Sequence, residues 1–195
     1  GAHALDICTA LTEDANEIKR TSTLVSLLAQ QVDIPLVIDS TNVDVMRAAL
    51  EHAPGRCLLN SVNLENGEAK ARQVFQLAKQ FNAAMIALTI DERGMADSAE
   101  RKLEIAQRIA HIAVKDCGLE TSALVFDPLT FTLASGSAET NDAAVQTLEG
   151  IRLIKKRLPE AHVVLGVSNI SFGLSPTARK PLNSVFLFHA VKAGL

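Results

Sequence analysis

The chain has 195 residues, of which 48% are hydrophobic and 21% are charged, and its formal net charge is -3 at pH 7. This length and composition are those of one folded domain with a sizeable core, and they exclude a disordered chain. The 19 basic and 22 acidic residues nearly balance and form no basic block, which argues against a nucleic-acid partner.

The sequence shows no sign of a membrane segment, a signal peptide, a disulfide framework or a metal site. No apolar stretch approaches the roughly 20 residues of a membrane-spanning helix, and the first segment, GAHALDICTA, lacks the regions of a signal peptide. The three cysteines form no C-x-x-C pair, which fits reduced thiols in a cytosol, and the five histidines show no metal-binding spacing. We therefore expect a soluble, cytoplasmic protein that has no membrane segment and no metal site.

Short apolar runs alternate with amphipathic stretches along the whole chain. Spacing such as that of Val74, Leu77 and Phe81 places apolar residues on one face of a helix. Strands that are almost entirely apolar indicate a parallel sheet buried on both faces. The pattern predicts strands at about 4–8, 35–39, 57–61, 84–90, 124–127 and 163–167, and helices near 13–30, 42–52, 67–81, 97–117, 140–157 and 181–193.

Two parallel architectures fit this alternation, the doubly wound open sheet and the (β/α)₈ barrel. The open sheet often carries a glycine-rich phosphate turn after its first strand, and LDICTALTE has no glycine, which favours the barrel. Six strands are too few to close a barrel, and the sequence does not begin with Met. We therefore predict an α/β fold: a fragment of a parallel TIM barrel covering about strands 2 to 7, with residues 1–195 forming one incomplete domain.

Polar residues close most of the apolar runs, as in PLVIDST, RCLLNSVN, ALVFDP and HVVLGVSN. In either parallel architecture the carboxyl ends of the strands meet at one mouth, so these side chains are expected to share a site. The set is acidic and amide-rich, without Lys, Arg or His, which suits a neutral heterocycle rich in hydrogen-bond donors. Its members are Asp6, Asp39, Asn60, Asp91, Asp127 and Asn169.

Other interpretations of these residues remain open. Asp39, Thr41 and Asp91 could cap the helices that follow them, and two carboxylates could instead bind Mg²⁺ in an aldolase or hydratase. Asn60 and Asn169 are harder to explain as caps, because each lies within an apolar run with more chain before the next helix. The segment DERGMADSAERKLE is interpreted as a solvated helix start with a weak pair between Arg101 and Glu104.

Several stretches in combination resemble the pterin-binding barrel of methyltetrahydrofolate methyltransferases, most closely the folate domain of cobalamin-dependent methionine synthases. The likeness covers essentially the whole chain. The stretches that carry it are GAHALDIC, PLVIDSTN, LLNSVNLENGE, ALTIDERGMADSAERKLEIA, FDPLTFTL and GVSNISFGLSP.

The resemblance implies that 5-methyltetrahydrofolate is the substrate and that cob(I)alamin on a separate module accepts its N5-methyl group, as in methionine synthesis. Asp39, Asn60 and Asp127 would hold the aminopyrimidinone edge of the pterin, and Asn169 would face N5. Ser168 would support Asn169, and Asp6 would lie behind the residues that touch the pterin. The chain has no D-x-H-x-x-G corrinoid motif, in keeping with a separate cobalamin-binding partner.

Related activities are distinguished by single positions. A methyltransferase serving a corrinoid iron–sulfur protein is expected to carry Gln where this chain has Phe172, and a dihydropteroate synthase is expected to carry Arg-Lys where it has Asn169-Ile170. Both resemblances are therefore weaker than that to methionine synthase. A non-catalytic pterin-binding module is the remaining alternative.

Overall fold

The computed structural model of the chain describes residues 1–11, 16–135 and 142–195. Its strands are β1 (Leu5–Cys8), β2 (Leu36–Asp39), β3 (Leu58–Val62), β4 (Ala84–Leu88), β5 (Ile90–Asp91), β6 (Gly94–Met95), β7 (Leu124–Asp127) and β8 (His162–Val163). Its α-helices are α1 (Glu17–Leu28), α2 (Val43–His52), α3 (Glu68–Gln80), α4 (Ala99–Ala110), α5 (Ala143–Arg157) and α6 (Pro176–Ala193).

Six strands form one parallel sheet in the order β1-β2-β3-β4-β7-β8, and β5 and β6 form a separate antiparallel hairpin. The strands of the large sheet follow one another in chain order without a reversal. A doubly wound sheet reverses its order at a switch point, whereas a barrel does not. The topology therefore confirms the predicted α/β fold of the TIM-barrel type, with β1 and β8 at the two ends of the described sheet.

The two faces of the sheet differ in composition because successive side chains of a strand point to opposite sides. One face packs against the helices and is fully apolar; its members, all buried, include Ile7, Ile38, Leu59, Met85 and Phe126. The opposite, inner face carries four of the polar candidates, Asp6, Asp39, Asn60 and Asp127. The largest buried cluster thus lies between the sheet and the helices.

The helices form for the reasons that the sequence suggests. In α3 the apolar stripe that includes Val74 and Leu77 is buried. Asn42, the residue before α2, caps that helix: its side chain accepts a hydrogen bond from the Asp44 N–H. In α4, Ser98 plays the same capping role. Among the described residues no helix is both long and apolar enough to cross a membrane.

The prediction of a strand over 163–167 is wrong except at its first residue, Val163. Strand β8 covers only His162–Val163, followed by a 3₁₀ helix over Val167–Ser171. Its neighbour β7 ends at Asp127, so the ladder continues only as far as the Val164 N–H, which donates to the Phe126 carbonyl at 2.9 Å. Later residues instead bond locally, which turns the apolar run out of the sheet.

Other boundaries shift by a few residues. The predicted strand 84–90 divides into β4 and the hairpin strand β5, and the predicted helix 97–117 continues beyond α4 as a π-helix over His111–Asp116. Helix α6 begins at Pro176, five residues before the predicted 181, because Ser175 caps it and Pro is tolerated in a first turn. The predicted helix starts at 13 and 140 lie outside the described residues.

Replacing Gly150 with Ala is expected to lower the free energy of unfolding by roughly 1–2 kcal/mol, net of the helix propensity gained. A Cβ at this position on α5 would lie 2.8 Å from Cδ of the buried Lys102. Gly55→Ala is the matched control, since nothing lies within 4 Å of its added Cβ. Chemical denaturation measures both variants; equal stability of the two would contradict the close packing at Gly150.

Candidate functional site

Three of the predicted site residues lie on the inner face of the sheet, at or near the carboxyl ends of their strands. Asp39 on β2 pairs in register with Asn60 on β3, Asn60 pairs with Ile86 on β4, and Asp127 on β7 pairs with Leu88, two residues beyond Ile86. Paired residues on parallel strands share a face, so the three polar side chains face the same side. All three are half-buried.

Two of these side chains have unused hydrogen-bonding capacity. Within the described residues the Asp39 carboxylate and the Asn60 amide have no protein hydrogen-bond partner. Asp39 does not cap α2, because Asn42 does so, and the capping interpretation of Asp39 is wrong. Half-buried acceptors and donors without a protein partner are suited to a polar ligand.

Burial sets the charge state of the carboxyl groups. Burial raises the pKa of Asp39, and the nearby Asp6 raises it further. Burial raises the pKa of Asp127 to about 6, against the opposing effects of a hydrogen bond from the Leu129 N–H and of the Lys102 charge. Asp127 is therefore mostly ionised at neutral pH and becomes protonated in mildly acidic solution.

The sequence suggests that Asp6 ends its strand, but in the structure it does not. It is the second residue of β1, pairs with Val37, and lies two residues before the strand end at Cys8. The even spacing still places it on the inner face beside Asp39, and it is exposed. Its charge raises the pKa of Asp39, in addition to the larger effect of burial.

Ser168 and Asn169 also differ from the prediction, because they lie on the 3₁₀ helix that follows β8 rather than at a strand end. Both are exposed. The Asn169 N–H donates to the Gly166 carbonyl at 3.0 Å. A Cβ on Gly166 would lie 2.9 Å from Asn169 Nδ2, so glycine at this position gives the amide room to lie against the backbone.

Buried polar groups fix this 3₁₀ helix. The fully buried Ser171 donates from Oγ to the Ser168 carbonyl at 3.1 Å, and Arg179 on α6 donates from Nε to Ser171 Oγ at 3.2 Å. Thr132, in the segment after β7, donates from Oγ1 to the Phe172 carbonyl at 2.6 Å. The segments after β7 and β8 are thereby joined, which brings Asn169 to the same end of the sheet as Asp127.

Asp91 does not face this site. It lies in the β5–β6 hairpin, where its carboxylate pairs with Arg101 and accepts a hydrogen bond from the Arg93 N–H. Arg101 also donates to the carbonyls of Gly94 and Met95. The predicted pair between Arg101 and Glu104 is therefore wrong, and Asp91 has a structural role in the hairpin.

Sequence reasoning missed Lys102, whose side chain is only 1% exposed. The charged residues of the segment around it indicate a solvated helix start, which is wrong for Lys102. The available signal was its spacing, since Lys102 shares the buried stripe of α4 with Ala99, Ala106 and Ile109. A lysine on the apolar face of a helix indicates a buried cation that needs partners.

The described part of the chain offers no cluster of metal ligands: within residues 1–11, 16–135 and 142–195 no three His, Cys, Asp or Glu side chains lie close enough together to hold a metal ion.

Comparisons with known proteins agree with this fold. A family model described as pterin binding enzyme matches residues 1–195. Over 198 residues the chain is 42% identical to methionine synthase of Mycobacterium leprae and 43% identical to that of Mycobacterium tuberculosis, covering 100% of this chain. It spans only 16% of the length of these relatives.

Two solved structures show the same fold over the whole chain. One is a dihydropteroate synthase from Xanthomonas albilineans in complex with 7,8-dihydropteroate, with a TM-score of 0.67, 17% identity and 71% of that chain covered. The other is a dihydropteroate synthase from Clostridium difficile in the presence of pteroic acid, with a TM-score of 0.70, 17% identity and 74% covered. The sheet topology, the full-length family match and the identity to the mycobacterial proteins lead to one conclusion: the chain belongs to the family of pterin-binding enzymes.

Proposed function

We propose that this chain is the folate-binding part of a methyltransferase, which binds 5-methyltetrahydrofolate and presents its N5-methyl group to cob(I)alamin on a separate module, as in methionine synthesis. The observation that carries the proposal is the polar inner face, where Asp39, Asn60 and Asp127 come together half-buried. The 42–43% identity to methionine synthases across the chain supports the choice among pterin chemistries.

The inner face matches the donor and acceptor pattern of a reduced pterin. An ionised Asp127 accepts hydrogen bonds from the ring N–H and the exocyclic NH₂ of the aminopyrimidinone edge. The Asn60 amide offers both a donor and an acceptor, and Asp39 adds a further acceptor. Partial burial strengthens these hydrogen bonds relative to water. Asp6, beside Asp39 on the same face, raises the pKa of Asp39.

Asn169 is assigned the role at N5. When the bond between N5 and the methyl carbon breaks, its electron pair remains on N5, which must then be met by a proton or a hydrogen-bond donor. The corrinoid, when its module is docked, supplies the cobalt nucleophile that takes the methyl group. A neutral amide can turn from acceptor to donor as N5 changes protonation. Ser168, whose carbonyl is held by Ser171, keeps the Asn169 backbone in place.

The residues around Asn169 are exposed, which leaves them accessible to a cobalamin-binding module. Ser168 and Asn169 are exposed, and the neighbouring Phe172 is 69% exposed, so an apolar edge lies beside the proposed reacting atom. A docked module would cover this edge and exclude water from the methyl group. The partner is therefore expected to approach from the carboxyl ends of the strands.

Calorimetric titration of the intact protein with 5-methyltetrahydrofolate, in the presence of a chelator, tests the proposal. We expect saturable binding at one site per chain that the chelator does not affect. Binding that appears only after a divalent cation is restored would favour the metal-dependent alternative. A folded protein that shows no binding would contradict the proposal.

A further inference from the structure

The turn that follows β7 is held by three buried polar side chains, from α4, from α5 and from the link between β4 and β5. Lys102 on α4 donates from Nζ to the Pro128 carbonyl at 2.8 Å, Thr89 donates from Oγ1 to the same carbonyl at 2.9 Å, and Thr147 on α5 donates to the Leu129 carbonyl at 3.0 Å. These side chains are 1%, 0% and 1% exposed, respectively. The backbone immediately after Asp127 is therefore held in place from the side of the helices α4 and α5.

This support reaches the Asp127 carboxylate itself. The Leu129 N–H donates to Asp127 Oδ1 at 2.8 Å, and Leu129 adopts a left-handed conformation with φ of 56°. Such a conformation is uncommon for a leucine and persists only where its surroundings determine it. The side chains that hold the turn thus also set the direction of the carboxylate.

Lys102 is the charged member of this group. All three of its Nζ donors are used, since it also donates to the carbonyls of Ala96 at 2.7 Å and Leu129 at 3.4 Å. A buried ammonium is costly unless it is paired and hydrogen-bonded. The packing is shaped to it: Gly150 on α5 leaves the space that the Lys102 stem occupies.

We propose that Lys102 is a positioning residue of the pterin site, which holds the Asp127–Leu129 turn and places a buried positive charge near the Asp127 carboxylate. Lys102 is on the far side of the turn from the inner face, so it acts through Asp127 without touching the ligand. The role rests on the proposed function, because it matters only if Asp127 accepts hydrogen bonds from a pterin.

The charges around the pair agree with this role. Burial raises the pKa of Asp127 to about 6, and Lys102 opposes that rise. Burial lowers the pKa of Lys102 to about 8, while Asp127 and Asp97 oppose the fall and Arg101 adds to it. On the inner face the other nearby acids are Asp39 and Asp6. At pH 7 both members of the Lys102–Asp127 pair are therefore mostly charged.

Lys102→Met in the intact protein provides the test, because Met keeps much of the apolar volume and removes the charge. Affinity for 5-methyltetrahydrofolate is measured by calorimetry between about pH 5 and 9, in parallel with wild type so that protonation of the ligand cancels. We expect the pH midpoint below which binding is lost to be higher than in wild type, because the charge that lowers the pKa of Asp127 is gone. An unchanged midpoint with normal folding would overturn the proposal.

Two control variants separate the charge from support of the backbone. Thr147→Val removes one neutral hydrogen bond to the same turn, so affinity is expected to fall severalfold while the pH midpoint stays. Lys155→Met removes another lysine that bonds backbone carbonyls, those of Pro159 and Ala161, at the other end of α5. It is expected to change neither affinity nor midpoint. A midpoint shift in either control equal to that of Lys102→Met would contradict the specific role of Lys102.

A second measurement does not depend on folding of Lys102→Met or on the ligand. NMR titration of the Lys102 Cε signal is expected to give a pKa near 8 in wild type and a lower value in Asp127→Asn, which lacks the attracting charge. Equal values would show that the two groups are uncoupled and would overturn the proposal. Wild-type protein that fails to bind the folate would contradict the proposed function, and with it the ligand role of Lys102, even if the coupling were found.

Discussion

Asp127→Asn is expected to abolish measurable binding of 5-methyltetrahydrofolate at neutral pH while the protein remains folded. The carboxylate is proposed to accept two hydrogen bonds from the pterin, and an amide offers one acceptor and presents an NH₂ group against a donor. Loss of charge-assisted hydrogen bonds in a half-buried site costs about 3 kcal/mol or more, which is about 100-fold in affinity. The fold is kept because the amide oxygen can still accept from the Leu129 N–H.

Calorimetry at pH 7 measures this loss, with Asp33→Asn as the control. Asp33 is an exposed acid that precedes β2, at the opposite end of the strands from the proposed site. Wild-type affinity should fall as the pH drops through about 6, because Asp127 then becomes protonated. Retention of wild-type affinity by Asp127→Asn would remove Asp127 from the site.

The same residue predicts a pH dependence of stability. Its pKa is higher in the folded state, about 6, than the ordinary value of 3.8, so the folded state binds the proton more tightly. This carboxyl therefore lowers the free energy of unfolding as the pH rises from 3.8 to about 6. Above that range the loss of stability is constant. From pH 3.8 to about 6, the free energy of unfolding, measured by denaturation, should fall more steeply with rising pH in wild type than in Asp127→Asn.

Asn169→Ala is expected to slow methyl transfer by about 10²–10³-fold while the dissociation constant of the folate changes by less than about threefold. The amide is proposed to meet the charge that develops on N5, which is absent in the bound ground state. Its exposed position at the rim, away from the half-buried pterin-edge residues, is consistent with a small part in binding. Single-turnover kinetics and calorimetry provide the two numbers.

Asn60→Ala is the contrasting variant, since Asn60 is proposed to bind the pterin edge in both ground and transition states. Its loss should weaken binding by an order of magnitude or more, with a smaller effect on the rate at saturating folate. The role of Asn169 at N5 would be wrong if the two variants, Asn169→Ala and Asn60→Ala, had the same folate affinity and the same rate of methyl transfer at saturating folate.

Most of the fold could be predicted because the core imposes its own pattern on the sequence. The buried runs around Ile38, Leu59 and Met85 are apolar on the helix-facing side, and the amphipathic stretches between them have one buried face. The end of β8 could not be predicted in the same way. The run HVVLGVSN is apolar enough for a strand, but β7 gives it no partner beyond Phe126.

The site was partly predictable for a similar reason. Asp39, Asn60 and Asp127 interrupt apolar runs, and in a parallel sheet such interruptions meet at one end. Asp91 also follows an apolar run in the sequence, yet it pairs with Arg101 in the hairpin and does not face the site. That outcome depends on tertiary contacts, which local spacing does not encode. The spacing of α4 does place Lys102 on the buried face of the helix, but its hydrogen bonds to the turn after β7 depend on tertiary contacts.

Transfer of a labelled methyl group tests the central claim most directly. The intact protein is mixed with 5-methyltetrahydrofolate that carries an isotopic label on its N5-methyl group and with cob(I)alamin, under reducing conditions. We expect that the label passes to the corrinoid, that demethylated folate appears in equal amount, and that Asn169→Ala slows both. If the folate binds to the protein but its label stays on N5 in the presence of the corrinoid, the chain binds pterin without presenting a methyl group, and the proposed function is wrong.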